Sequence, residues 1–372
     1  MGDYFGSDVG KLGFGLMRLP RRGVRTDIDE FSAMVDEFLA AGLTYFDTAP
    51  LYPGSEAATR KALVKRYPRE SYTIATKLNA FLLAHSERGA KKQIDASIAK
   101  LGCGYIDYYL LHSIMNGNCH AYERYHTWEW GAELKRQGRI RYFGFSFHAG
   151  PDLLDRLLTA HPEIDFVQLQ LNYADWERKS VSARANYEVA RSHNKSIVVM
   201  EPLKGGTLAN PGKEVRALFD RANPNASYAS WGIRFAASLD GVITVLSGMS
   251  NLEQMRDNLS YMRDFKPLSS DERAVIRKAQ ELMELSSAIP CTACRYCTGG
   301  CPKHIQIPDI LAAMNERTAN GQIEESAAAY KRAAAAGSPA SACLKCGKCE
   351  DACPQHIQII SELEKCARTF EG

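Results

Sequence analysis

Four residues that can handle a proton stand where apolar stretches of this sequence break off. Tyr45-Phe46-Asp47 ends on an acid, and a phenol, Tyr52, follows Pro50. Tyr72-Thr73-Ile74-Ala75-Thr76 runs into Lys77, and Ile106-Asp107-Tyr108-Tyr109-Leu110-Leu111 runs into His112. A phenol of pKa about 10 is a poor acid at neutral pH, but a nearby cation favours its ionised form. Lys77 is therefore expected to lower the pKa of Tyr52, with Asp47 holding Lys77 charged and in place. Tyr52 would give its proton to an oxygen that becomes an alkoxide as hydride reaches the adjoining carbon. His112 would hydrogen-bond that oxygen and orient it. Each side chain alone has an ordinary use, as loop aromatic, surface charge or core histidine. Their shared placement at strand ends is what argues for chemistry.

Sulfur supplies a second constellation. Cys103, Cys119 and Cys366 are scattered, whereas Cys291, Cys294, Cys297 and Cys301-Pro302 recur as Cys343, Cys346, Cys349 and Cys353-Pro354. Each run has the C-x2-C-x2-C-x3-C-P spacing that wraps thiolates around a [4Fe–4S] cubane. In proteins with two such clusters the fourth cysteine of each run binds the other cluster. One cluster is thus expected on Cys291, Cys294, Cys297 and Cys353, and the other on Cys343, Cys346, Cys349 and Cys301. Zinc is the plainer use of grouped cysteines, but it does not call for the doubled run with its fourth cysteine and proline. Lys303-His304-Ile305-Gln306-Ile307 echoes Gln355-His356-Ile357-Gln358-Ile359, an internal repeat that implies a pseudo-twofold module. Its two histidines read as surface caps rather than ligands.

These groups need elements to carry them. At 372 residues the chain exceeds one typical domain and suits a barrel plus a smaller module. A formal net charge of +3 gives no basic surface for nucleic acid or an anionic membrane. No apolar run approaches the ~18 residues of a membrane span. The opening residues lack the regions of a signal peptide, and clustered cysteines without one read as metal ligands in a reducing compartment. A cytoplasmic location is expected.

Apolar runs alternate with helical periodicity through the first two-thirds of the chain. Strands are expected at 12–17, 45–47, 72–76, 106–111, 140–146, 166–172, 197–202 and 242–247. Helices are expected over Asp27 to Ala41, Arg88 to Leu101, Pro151 to Ala160 and Leu252 to Tyr261. That alternation predicts an α/β fold, a closed (β/α)8 TIM barrel over 1–265. An open doubly wound sheet is the alternative, but no Gly-x-Gly-x-x-Gly turn follows the first strand. A linking helix follows within 266–288, from Ser269 to Ser287 with Ser270 as its cap. Residues 289–372 form a small α-helical module, with two helices expected between Pro308 and Ala340.

The tetrad Asp47, Tyr52, Lys77 and His112 resembles that of the aldo-keto reductases. So do the segments Ile140 to Ser146, Gln168 to Tyr173 and Glu201-Pro202-Leu203-Lys204-Gly205-Gly206. The tail is similar to α-helical dicluster ferredoxin domains, and the whole resembles a group of aldo-keto reductases with a C-terminal ferredoxin-like domain. The resemblance implies a bound NAD(P)H, with Ser146 and Gln168 at the carboxamide. Gly205, Gly206, Ser247, Gly248 and Ser250 would carry the phosphates, and Asn258 the adenine. The sequence departs from the family at several of these points. Phe147-His148 follows Ser146 where Asn is common, Met200 replaces the stacking Tyr, and Gln254 stands where Arg often holds a 2′-phosphate. Arg256 is a candidate substitute. Ser250 with Glu253 also matches a capping box. NADH and NADPH are both left open.

Three functions fit this combination. The favoured one reduces a carbonyl, or oxidises an alcohol, with NAD(P)H, the clusters being structural or serving a separate redox partner, a ferredoxin or flavoprotein. In the second, the clusters feed single electrons to a substrate or a flavin in the barrel mouth. In the third, the protein is an electron carrier or scaffold with an idle barrel. The loop Ser113 to His120, with Asn116, Asn118, Cys119 and His120, is expected to line the substrate mouth.

Overall fold

The computed structural model describes residues 6, 9–178, 180–284, 288–320 and 322–372. Eight parallel strands close into a barrel: β1 (Leu12–Gly15), β2 (Tyr45–Asp47), β3 (Thr73–Leu78), β4 (Ile106–Ile114), β5 (Ile140–Phe147), β6 (Phe166–Gln170), β7 (Ser196–Met200) and β8 (Val242–Ser247). Each strand pairs with its neighbours in sequence, and β1 closes the ring by pairing with both β2 and β8. The strands read as continuous apolar runs because parallel strands wrapped by helices are buried on both faces. All eight expected strands form, most of them shifted by a residue or two at their ends.

Inside the barrel, Tyr45, Tyr108 and Phe166 pack edge to face, with centroids 4.9 and 5.2 Å apart. At Gly144 on β5, a Cβ would lie 2.5 Å from the Phe166 carbonyl oxygen, so only glycine lets β6 approach. The β4–β5 register slips between Leu111 and Ile114, and Ser113 adopts a φ of 60°. Such an irregularity re-aims the side chains around it, here at His112.

Helices cover the barrel. In α1 (Ile28–Ala40), Phe31, Met34, Val35 and Phe38 are buried, and Asp27 caps the first turn by accepting from the Glu30 amide. The helix expected from Arg88 to Leu101 is two pieces, Glu87–Lys91 and α2 (Gln93–Leu101), which meet at Lys92. α3 (Pro151–Ala160) buries Leu153, Leu154, Leu157 and Leu158. α4 (Leu252–Met262) is capped by Asn251, which accepts from the Gln254 amide, and not by the expected Ser250–Glu253 box. The linking helix is α5 (Ser270–Glu284); the last part of its expected span, 285–287, lies outside the described residues. Its capping box is Ser269 with Glu272, one residue earlier than expected, because each side chain reaches the other's amide.

Among the described residues, the longer helices of the C-terminal unit are α6 (Ile307–Asn320), α7 (Ile323–Ala335) and α8 (Ile359–Phe370). The repeated segments place Ile305, Ile307, Ile357 and Ile359 in one apolar core with Ile310, Leu311 and Leu363. The repeat extends to the backbone. Ala293 and Lys345, Arg295 and Gly347, and His304 and His356 hold equivalent positions, and all have positive φ. Among the described residues no helix is long and apolar enough to cross a membrane.

Candidate active site

Lys77 reaches the barrel mouth from β3 with no exposed surface. Its Nζ donates to Asp47 Oδ1 at 2.6 Å and to the Thr48 carbonyl at 2.9 Å. The Gln168 amide donates to the second Asp47 oxygen at 3.2 Å. A buried cation costs free energy unless it is paired and hydrogen-bonded, and Asp47 and Thr48 answer both needs. Burial pushes the Lys77 pKa below its ordinary value, and the Asp47 carboxylate offsets part of that.

The loop bearing Tyr52 is folded on itself. Thr48 and Ser55 share a 2.7 Å hydroxyl contact, Ser55 donates to the Leu16 carbonyl, and the Tyr52 amide donates to the Ala49 carbonyl at 3.0 Å. Tyr52 thereby comes to lie with its ring centroid 5.2 Å from Lys77 Nζ and 5.8 Å from the His112 ring. The direction of its pKa is opposite to expectation. Desolvation, followed by Tyr296, Asp47 and Glu201, raises it well above the usual tyrosine value. Lys77 lies beside the ring, and its charge does not outweigh that burial. Tyr52 therefore holds its proton, as a donor must. His112 is held well below the ordinary histidine pKa by burial, with smaller contributions from Lys77 and His148, and is neutral at physiological pH. Its Nδ1 has no partner among the described residues.

A cavity of about 830 Å3 opens above these residues, with Asp47, Tyr52 and His112 in its lining. The eight expected nicotinamide contacts, Ser146, Gln168, Gly205, Gly206, Ser247, Gly248, Ser250 and Asn258, line it too. Several are already engaged. Ser146 Oγ accepts from the Ser113 amide at 2.7 Å, and Asn258 donates to Ser247 Oγ at 2.7 Å. Ser250 Oγ donates to the Arg18 carbonyl at 2.9 Å. Arg256 is not the substitute cation, because it points away and pairs with Glu37 at 2.6 Å. The substrate-mouth loop is also corrected. Asn118 ties its own turn together through Met115 and Ser113, and none of Asn116, Asn118, Cys119 and His120 lines the cavity.

Sequence reasoning missed several lining residues. Arg18, just after β1, donates to the Thr292 carbonyl at 2.7 Å. Glu201, in a left-handed conformation with φ 56° after β7, has one carboxylate oxygen without a partner, and burial raises its pKa. Cys294, Tyr296 and Pro354 come from the cysteine-rich unit. A tyrosine between two cysteines of a run is the one sequence signal that could have drawn attention to that wall.

The cysteines sort into two sets. Burial raises the pKa of Cys291, Cys294 and Cys297, and Cys353 lies near enough for its charge to add to that at each. Cys301, Cys343, Cys346 and Cys349 line a separate small cradle. Among the described residues no three His, Cys, Asp or Glu side chains converge on a single metal ion. Two sets of four thiols, the second spread around a space of its own, fit a cubane, in which every iron takes one thiolate. By that fit the first set would hold one [4Fe–4S] group and the second set the other.

Comparison with known proteins accords with this architecture. A model of the aldo/keto reductase family matches residues 11–281. The chain belongs to that family. It is an oxidoreductase, and a 4Fe-4S dicluster domain matches residues 290–358. L-galactose dehydrogenase of Arabidopsis thaliana is 24% identical over 291 residues, 73% of this chain and 89% of the relative. An aldo-keto reductase of Mycolicibacterium vanbaalenii is 30% identical over 64% of the chain and 79% of its own length. The holo form of an aldo-keto reductase from Bacillus halodurans is 26% identical. It superposes with a TM-score of 0.60 over 73% of this chain and 92% of its own.

Proposed function

We propose that this aldo-keto reductase reduces a carbonyl compound to an alcohol with NAD(P)H, with Tyr52 as proton donor. The observation that carries the reading is one continuous cavity lined by Asp47, Tyr52 and His112 and by all eight expected nicotinamide contacts. When bound, the dinucleotide supplies hydride to the carbonyl carbon. The protein's part is the oxygen. Tyr52 releases its phenolic proton to it, and neutral His112 orients it by a hydrogen bond. Lys77 sits under the Tyr52 ring and favours the phenolate left behind. Gly205 and Gly206, both at positive φ, let a phosphate approach the backbone closely. Carbonyl-dependent oxidation of NADH and NADPH, followed with purified anaerobically reconstituted protein, tests this. Tyr52→Phe is expected to lower kcat by about 10²–10⁴-fold while nicotinamide still binds. Wild-type turnover in that variant would overturn it.

A second reading is favoured by the placement of Cys294 and Tyr296 in the lining shared with Tyr52. A cluster on Cys291, Cys294, Cys297 and Cys353 would exchange single electrons with whatever occupies the cavity. Protein reduced with dithionite in the absence of nicotinamide should then be reoxidised by substrate, and Cys294→Ala should abolish this.

A further inference from the structure

The repeat gives the cysteine-rich unit two equivalent faces, one at each set of four thiols, in different surroundings. The face at Cys291, Cys294, Cys297 and Cys353 is pressed against the barrel. Thr292 is 3% exposed and accepts from Arg18, and a Cβ on Gly205 would meet the Thr292 oxygen at 2.6 Å. Gln355, also 3% exposed, exchanges reciprocal amide hydrogen bonds with Gln170 at 3.0 and 3.1 Å. Tyr296 faces the cavity.

The repeat sets Leu344, Lys348 and Lys303 at the positions of Thr292, Tyr296 and Gln355. All three are exposed, Leu344 at 59%, and between them Cys346 is the exposed thiol of its set. Every charged residue lining that cradle is a lysine, Lys303 or Lys348, and neither has an ion-pair partner among the described residues. Lys345 beside them is already neutralised by Glu364 at 2.6 Å. An apolar residue beside two cations, over an exposed redox ligand, has the anatomy of a transient electron-transfer contact.

The geometry points to this open face as the docking site of a small acidic protein carrying a one-electron centre. The inference rests on the cluster-fed reading for its purpose, though not for its geometry. One electron leaves the carrier, which is oxidised by one, and enters the group held by Cys301, Cys343, Cys346 and Cys349, which is reduced by one. No bond changes, and no proton moves.

Stopped-flow bleaching of the reconstituted holoprotein by a reduced acidic [2Fe–2S] ferredoxin tests the assignment. Wild type should bleach fast at low ionic strength and progressively slower as salt is added. The double variant Lys303→Glu/Lys348→Glu should slow on the order of ten-fold or more and lose that salt dependence. Bleaching by dithionite and the midpoint potentials should be unchanged, and Lys65→Glu on the barrel should behave as wild type. Leu344→Asn should slow bleaching by ferredoxin without altering its salt dependence. Wild-type rates in the double variant would overturn the proposal, as would equal slowing with dithionite or a shift in potential that accounts for the loss. Clusters that reduce through this face but are not reoxidised by substrate would leave the docking face standing and sink the cluster-fed reading alone.

Discussion

At one end of the cavity, Asp47, Lys77 and His112 hang from the ends of consecutive barrel strands, and the Lys77–Asp47 pair is almost wholly buried. At the other end, the walls are the loops at Gly205–Gly206 and Ser247–Ser250, and their support comes partly from the cysteine-rich unit through Thr292. Charge differs as well. Asp220, Glu253 and Asp257 line the far end, and among the described residues Arg18 is the one Lys or Arg in the lining, one of its guanidinium nitrogens donating to the Thr292 carbonyl. The strand-built end is thus fixed by strand register, which tolerates little variation. The opposite end is fixed by loop contacts, which can be retuned singly.

The largest effects should come from the strand-built end, in two separable forms. Tyr52→Phe removes a proton without removing a buried partner, so turnover should collapse while stability to denaturant stays within about 1 kcal/mol. Lys77→Met leaves Asp47 buried with only the Gln168 amide for company. Breaking such a pair costs about 3–5 kcal/mol, so this variant should lose activity and stability together. Equilibrium denaturation beside initial rates separates them. Equal stability of the two variants would show that the pair is not integral to the barrel.

The loop-built end should respond to Gly205→Ala. Gly205 has φ 68°, and its added Cβ would fall 2.6 Å from the Thr292 carbonyl oxygen. The left-handed conformation alone costs about 1–2 kcal/mol in an L-residue, and the clash pushes Thr292 away. Nicotinamide affinity should fall by roughly ten-fold or more, with kcat at saturation nearly retained. The same titration on Gly206→Ala is informative, because an added Cβ there would meet no atom of the described residues within 4 Å. It should lose only the conformational part.

The two ends also differ in how far the sequence announces them. The eight strands and the placement of Asp47, Lys77 and His112 at the mouth are legible because apolar runs end abruptly on polar residues, and the barrel leaves no freedom over which end of a strand faces the mouth. The cysteine spacing is legible for the same kind of reason, since short spacers constrain geometry locally. What escaped depends on contacts distant in sequence. The burial of Tyr52 beneath Tyr296 of the cysteine-rich unit could not be seen, and so its pKa was expected to move the wrong way. Arg256 could not be seen to face Glu37, nor the polar loop after β4 to bond to itself. That Cys294 and Tyr296 reach the barrel mouth follows from docking of the two units through Gln170, Gln355, His148 and His356, which no local pattern encodes.

A smaller effect concerns pH and bears again on the strand-built end. His112 is depressed well below its ordinary pKa, and His148 is brought down to about 4, both chiefly by burial. Below about pH 6.5 the unfolded chain takes up protons at these residues that the folded protein refuses. Their contribution to stability is complete above that pH and is lost as pH falls toward the folded-state values. The slope approaches about 1.4 kcal/mol per pH unit for each residue. Denaturant midpoints between pH 7 and 5 should fall less steeply in His148→Gln than in wild type. Parallel slopes would mean that the imidazole is solvated.

The smallest effect should come from charge at the loop-built end. With Glu253 and Asp257 in the lining and the Gln254 side-chain oxygen accepting from the Ser250 amide, a 2′-phosphate would meet like charge, with Arg18 the one lining cation among the described residues. NADH should therefore bind more tightly than NADPH. Glu253→Gln should narrow that gap by under about 1 kcal/mol, less than about five-fold, because exposed charges interact weakly. Screening shrinks the effect further, so it should be visible at low ionic strength and fade near physiological salt. Fluorescence titrations of both dinucleotides at the two salt concentrations measure it. A gap that Glu253→Gln leaves untouched at low salt would mean that discrimination arises from the shape of the loops rather than their charge. The contrast between the two ends would then be one of rigidity alone.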